Sequence, residues 1–152
     1  AVNRLVVHYR DKYGLTIETL PAVSLDPVAM NADRDQLIAE EAVALMKDAN
    51  LLLVNDPKAI LIGLTNVDMY IAKYDWQFTF SWRQEGRYAV VSNARMYLGS
   101  PTEDKVESRL RKMVTKNIGV LYYRLPPSDH ARSVLYKSVG GLSELDYMGE
   151  EF

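Results

Sequence analysis

The sequence predicts a mixed α/β domain in which one twisted sheet packs against two or three helices. Three observations lead there. Apolar residues recur at three- and four-residue steps in several stretches, as buried helical faces require. Between those stretches stand short runs rich in β-branched and aromatic residues, bounded by Gly, Pro, Asn and Asp. With 152 residues, 48% of them hydrophobic, the chain can bury one ordinary core, so residues 1–152 are expected to form a single domain.

In the first segment Val2, Leu5, Val6, Tyr9 and Tyr13 share one helical face, and Gly14 can end that helix. A strand over Leu5 to His8 is the weaker alternative. Thr16 to Leu20 alternates and is rich in β-branched residues, which predicts a strand closed by Pro21. Pro27 and the turn residues around Asn31 make a loop. Asp33 followed by Gln36 is a capping-box signal, so a helix is expected behind it, with Leu37, Ile38, Ala42, Val43 and Met46 on one face and an end near Asn50. Leu51 to Val54 is a short apolar run stopped by Asn55, Asp56 and Pro57.

Lys58 to Thr65 reads as a buried strand, and Gln77 to Arg83 as a strand with one wet face. Glu85, Gly86 and Arg87 form a turn, after which Tyr88 to Ser92 returns antiparallel to the strand before it. Ser100, Pro101 and Glu103 suit the cap, first and third positions of a helix running to about Tyr122, with Val106, Leu110, Met113, Asn117 and Leu121 facing inward. Past Pro126 and Pro127 come a polar turn and a tail in which Leu142, Leu145 and Met148 predict one short amphipathic helix. No repeat, low-complexity segment or linker interrupts the chain.

Lys and Arg total 18 against 20 Asp and Glu, a formal charge of -2. That balance supplies no bulk attraction for nucleic acid or a membrane surface, and no nucleic-acid partner is expected. The longest apolar stretch, near Ala59 to Leu64, is too short to span a bilayer, and no apolar signal core opens the chain. Ala1 is not an initiator methionine, which leaves room for an upstream segment, so the expected compartment stays open between cytoplasmic and exported. The absence of cysteine excludes disulfides, thiolate nucleophiles, Cys-ligated zinc and iron–sulfur clusters. No nucleophile elbow, glycine-rich phosphate loop or calcium-loop spacing is present.

Three runs carry a family resemblance: Ile62-Gly63-Leu64-Thr65-Asn66-Val67-Asp68-Met69-Tyr70, then Trp76 to Ser81, then Ala89-Val90-Val91-Ser92-Asn93-Ala94-Arg95-Met96. Their order and spacing resemble the archaemetzincin-like zinc peptidases, in which a "GVTDVDL" strand leads to an "FVFG" strand, an "AVVSLARL" strand and a long helix. The opening helix, the strand Thr16 to Leu20 and the Arg34 to Asn50 helix also fit that family's N-terminal half. Leu142 to Met148 is similar to its "SLEELDRM" segment. The family begins with a strand that this chain lacks, which implies a trimmed strand or a different sheet edge. The resemblance thus implies a metzincin-like fold over nearly the whole chain.

The resemblance stops at the zinc site. The family's helix carries H-E-x-x-H-x-x-G-x-x-H, whose five specified positions fall on Lys116, Asn117, Val120, Tyr123 and Pro126 in the best local fit, and none matches. Gly119 keeps the glycine of the usual H-E-L-G-H, while Leu135 falls nearest the methionine expected beneath a metzincin zinc. In any register His8 and His130 are the only imidazoles. No zinc and no other cofactor is expected. Asn117 cannot take a proton from water as the missing Glu would, and Val120 has no lone pair. The ammonium of Lys116 could occupy the metal's electrostatic position.

Each remaining candidate has a plain reading beside its functional one. His130 with Asp129 is either a remnant ligand loop or a solvated loop histidine, and the second is favoured; His8 reads as structural or exposed. Lys105, Arg109, Lys112 and Lys116 recur at helical steps, but interleaved Glu103, Asp104 and Glu107 favour an ordinary solvated face with weak ion pairs. Tyr122, Tyr123, Arg124 and Tyr136 could line a peptide- or glycan-binding cleft or simply pack. Asp68 and Asp75 suggest paired carboxylates, with a turn or strand-end role favoured. Glu144, Asp146, Glu150 and Glu151 read as a solvated acidic tail. The expectation is a catalytically inactive peptidase homologue binding a peptide or protein partner in the former cleft. The alternatives are an enzyme with relocated chemistry on Lys116, His130 or a tyrosine, and a structural protein with a filled cleft.

Overall fold

The computed structural model describes residues 2–152. Helix α1 (Val2–Tyr13) buries Leu5 and Tyr9 on the predicted face. It ends where Gly14 turns to φ +66° and its N–H donates to Arg10 O, a backbone conformation that glycine adopts without a Cβ penalty. No strand forms over 16–20. Leu15 and Ile17 do pack on the core, but no neighbouring strand pairs with them, so the alternation belongs to an extended segment lying on the core.

The helix expected behind Asp33 begins late. Two-residue β1 (Met30–Asn31) is followed by β2 (Gln36–Ile38), and helix α2 occupies Ala39–Ala49. Leu37 pairs with Met30 on one side and with Met69 on the other, and these ladder contacts override the capping-box signal. The apolar run Leu51–Val54 is a single-turn helix, α3, with Leu51 and Leu52 exposed.

The remaining strands are β3 (Leu61–Thr65), β4 (Met69–Tyr70), β5 (Ser81–Gln84) and β6 (Tyr88–Ser92). Residues 58–60 and 77–80, expected within strands, lie outside them. Two three-stranded mixed sheets result, in the orders β1-β2-β4 and β3-β6-β5. In the second sheet β3 runs parallel to β6, and β5 is antiparallel to it, as the short turn requires. Every residue of β6 is buried. Val91 faces one hydrophobic cluster, with α1 and the long helix below, while Tyr88 and Val90 face a second, with α2. The fold is therefore layered, with helices on both faces of a central sheet. On the α2 side a Cβ at position 63 would lie 2.6 Å from Met46 Sδ, so Gly63 leaves room for the Met46 side chain.

Helix α4 (Glu103–Leu121) is capped by Thr102, whose Oγ1 accepts from the Lys105 N–H at 3.2 Å. Ser100, the expected cap, sits instead at φ +52° in the preceding turn. Val106, Leu110, Met113, Asn117 and Leu121 are all buried, as the spacing predicts. Helix α5 (Leu142–Tyr147) buries Leu145, and Met148 follows it into the core.

Candidate functional site

The basic row on α4 is not a solvated face. Lys105 is exposed, but Arg109, Lys112 and Lys116 retain only 5–6% of their surface. The periodicity was right for a face and misleading about what covers it, because the C-terminal segment lies across this side of the helix. Arg109 donates through Nε and Nη2 to both carboxylate oxygens of Asp146, at 2.7 and 2.8 Å, and through Nη1 to Met96 O at 2.6 Å. Lys112 Nζ donates to Leu145 O and Asp146 O, both at 3.1 Å, and so satisfies carbonyls of the last turn of α5. Lys116 Nζ donates to Tyr136 O. Asp146 and Glu150, expected in a solvated tail, are thus working contacts; Glu150 accepts from Arg111 at 3.0 Å.

Lys116 and Asn117 are both already engaged in internal hydrogen bonds. Burial, reinforced by the Arg83 guanidinium, pushes the Lys116 amine down to about 8. Asn117 is fully buried; its Nδ2 donates to Ser81 Oγ and Met113 O, both at 2.9 Å, and its Oδ1 accepts from Arg83 Nη1 at 3.3 Å. Burial also lowers the Arg83 pKa. Ser81 and Arg83 come from the edge strand β5, so Asn117 ties helix α4 to the sheet. Pairing alternation turns the backbone groups of Ser81 and Arg83 away from β6. At Ser81 that edge is closed by Thr79, whose Oγ1 donates to Ser81 O at 2.7 Å and accepts from its N–H at 3.3 Å.

The other candidates are only partly brought together. Tyr136 supplies the carbonyl that holds Lys116 and lies in a loop closed by its bridge to Ser128. Tyr122 and Tyr123 are exposed and meet edge-to-face at 5.0 Å. Arg124 turns away, with φ +56°, to donate to Gly86 O at 2.9 Å in the β5–β6 turn. His130 is exposed on its loop. Phe152, which the residue pattern did not single out, lies edge-on between Tyr13 and Tyr123 at 5.7 and 5.5 Å and covers Gly119. His8 is half-buried against Tyr9, with Nε2 enclosed and unpartnered, and burial lowers its pKa. Asp68 immediately precedes β4, and its carboxylate accepts from Arg95 and from Gln36.

These donors do not fit a zinc site. An amine held by a carbonyl, a locked carboxamide and an isopropyl group offer no imidazole or carboxylate set, and no cluster of three His, Cys, Asp or Glu side chains suited to a metal exists among the described residues. The scaffold around them is nonetheless specific. An archaemetzincin from Methanopyrus kandleri superposes with a TM-score of 0.75 over 99% of this chain and 78% of its own, at 24% identity. The chain has an archaemetzincin-like fold. A second archaemetzincin, from Archaeoglobus fulgidus and crystallised with malonate, gives a TM-score of 0.78 over 99% and 86% of the two chains, at 20% identity. No protein-family model and no curated protein matches the sequence. An archaemetzincin-like fold therefore runs across the chain, and within it Lys116 and Asn117 hold their neighbours.

Proposed function

We propose that this chain is a catalytically inactive archaemetzincin homologue that binds a peptide or protein partner at the surface left by the former cleft. The observation carrying the proposal is the engagement of Lys116 and Asn117 in internal hydrogen bonds on an archaemetzincin-like scaffold. A group spent on Tyr136 O or Ser81 is not free to ligate a metal or activate water. Beside them Tyr122 and Tyr123 remain exposed, with Phe152 completing a run of aromatic contacts. Exposed tyrosines of this kind suit a binding surface, because each joins a large apolar body to a hydroxyl. Lys116, Tyr122, Tyr123, Arg124, His130 and Tyr136 are the proposed surroundings of that surface. Lys116 and Tyr136 shape it through their mutual bond.

The packing of Phe152 and Leu135 on Gly119 favours a second reading, a purely structural protein whose cleft is filled. The relocated-enzyme reading draws on the lowered pKa of Lys116, but an amine with 5% of its surface exposed presents no nucleophile to a substrate. Metal content after dialysis against trace zinc, together with turnover of a quenched-fluorescent peptide library, tests the proposal. Far less than one zinc per chain and no turnover are expected. Stoichiometric zinc, or chelator-sensitive cleavage that co-purifies with the chain, overturns inactivity.

A further inference from the structure

A concave site lies away from α4, where β2, β4 and the loop after β4 meet. It is an open groove of about 410 Å³, within the range of about 300–1,000 Å³ usual for small-ligand sites. One wall is Trp76, 56% exposed. Its orientation is fixed from behind, since Tyr74 stacks on it at 4.8 Å and 24°, and Trp82 meets Tyr74 edge-on at 6.1 Å. The floor is a rigid polar network. Arg34 lies over the Tyr70 ring at 3.7 Å and donates to Gln36 Oε1, Trp76 O and Gln77 O. Arg95 lies over Phe78 at 4.1 Å and forks onto Asp68.

Several polar groups of this groove remain unspent. Arg34 Nη1, Arg95 Nη1, the Asp75 carboxylate and the Gln77 side-chain amide, all on lining residues, form no hydrogen bond among the described residues. Two arginines and two aspartates line the groove, so their formal charges cancel and no net field selects an anion or a cation. A matching ligand is uncharged, carries adjacent groups that both donate and accept, and offers an apolar face to the indole. A sugar ring has those properties: its hydroxyls can accept from the guanidinium N–H groups and donate to a carboxylate, and its C–H face stacks on an aromatic ring.

We propose that this groove binds a neutral saccharide, stacked on Trp76 and hydrogen-bonded by Arg34, Asp75, Gln77 and Arg95. The site shares no residue with the α4 surface, so it stands or falls separately from the partner-binding reading. The chain has two tryptophans, so their two indole N–H resonances can report the site directly. Full-length 15N-labelled protein would be titrated with neutral hexasaccharides of glucose, mannose and N-acetylglucosamine, and with an uncharged hexapeptide as the competing class. The expected result is a saturable shift of the Trp76 indole with at least one saccharide and none with the peptide. In W76A the remaining spectrum stays folded and affinity falls at least about tenfold, while W76F, which keeps a stacking face, retains part of it. D75N and Q77A should weaken the same saccharide without loss of fold. No Trp76 shift with any saccharide, a shift with the peptide alone, or undiminished binding by W76A overturns the proposal.

Discussion

Lys116 shows how one side chain can tie a helix to a loop. Its ammonium, on α4, draws in the Tyr136 carbonyl of the loop. The contact is costly, because the ammonium is buried with no carboxylate beside it and Arg83 adds like charge. The lowered pKa fixes the sign of the consequence. Between about pH 8 and 10.5 the unfolded chain holds a proton on Lys116 that the folded chain has released, so stability rises with pH through that window. At roughly 1.4 kcal/mol per pKa unit, the wild type should gain up to about 3 kcal/mol relative to K116M across it. Urea melts of both proteins measure this difference, and subtraction removes the opposite trend from Tyr9 and Tyr13, whose pKa values burial raises. A flat difference would mean that the Lys116 ammonium is not desolvated. The sequence placed Asn117 on the inner face of α4, where the residue is fully buried. It could not disclose Ser81 and Arg83 as partners of Asn117, since strand β5 and helix α4 are brought together only by tertiary packing.

At the level of elements, α4 and α5 are joined by the same basic row that periodicity placed on one face. Arg109 is the centre of that joint, because its guanidinium satisfies Asp146 with two bonds and the Met96 carbonyl with a third. R109A should destabilise the fold by about 3 kcal/mol, toward the lower end for a broken buried pair, since Asp146 keeps 28% of its side-chain surface. D146N should cost less and should also change the acid response. Arg109 holds the Asp146 carboxyl below its usual range, so the bridge contributes fully above the unfolded pKa and is lost as pH falls through the folded one. Wild type should therefore lose more stability than D146N below about pH 4, as read by denaturant melts at successive pH values. Elements with their own local signal were legible: α1, with its glycine stop, β6 and the inner face of α4. The start of α2 was not, because Gln36 to Ile38 fit a helix locally and are held extended by Met30 and Met69 across the ladder. The face of α4 was misread as solvated for a related reason: nothing in its spacing tells whether water or another segment lies against an arginine.

For the whole molecule, the mixed α/β class was readable because β-rich runs and helical faces alternate along the chain, whereas the division into two sheets depends on register, which periodicity does not encode. That division bears on whether residues 1–152 act as one domain. The two hydrophobic clusters lie on opposite faces of the β3-β6-β5 sheet, and β6 supplies both, with Val91 in one and Val90 in the other. Adjacent residues of one strand cannot lose their packing independently, because unpairing β6 exposes both faces at once. The single-domain reading then requires that damage to either cluster lower one shared transition. V90A and V91A should each cost roughly 2 kcal/mol, the scale for removing buried methyl groups. In both variants, unfolding followed by backbone circular dichroism and by tryptophan fluorescence should coincide at a single lowered midpoint with the slope unchanged. Trp82 packs against the Val90 cluster, so a V90A variant whose fluorescence changes before its backbone signal would show the α2 layer opening on its own, and the chain would then be two units sharing a strand.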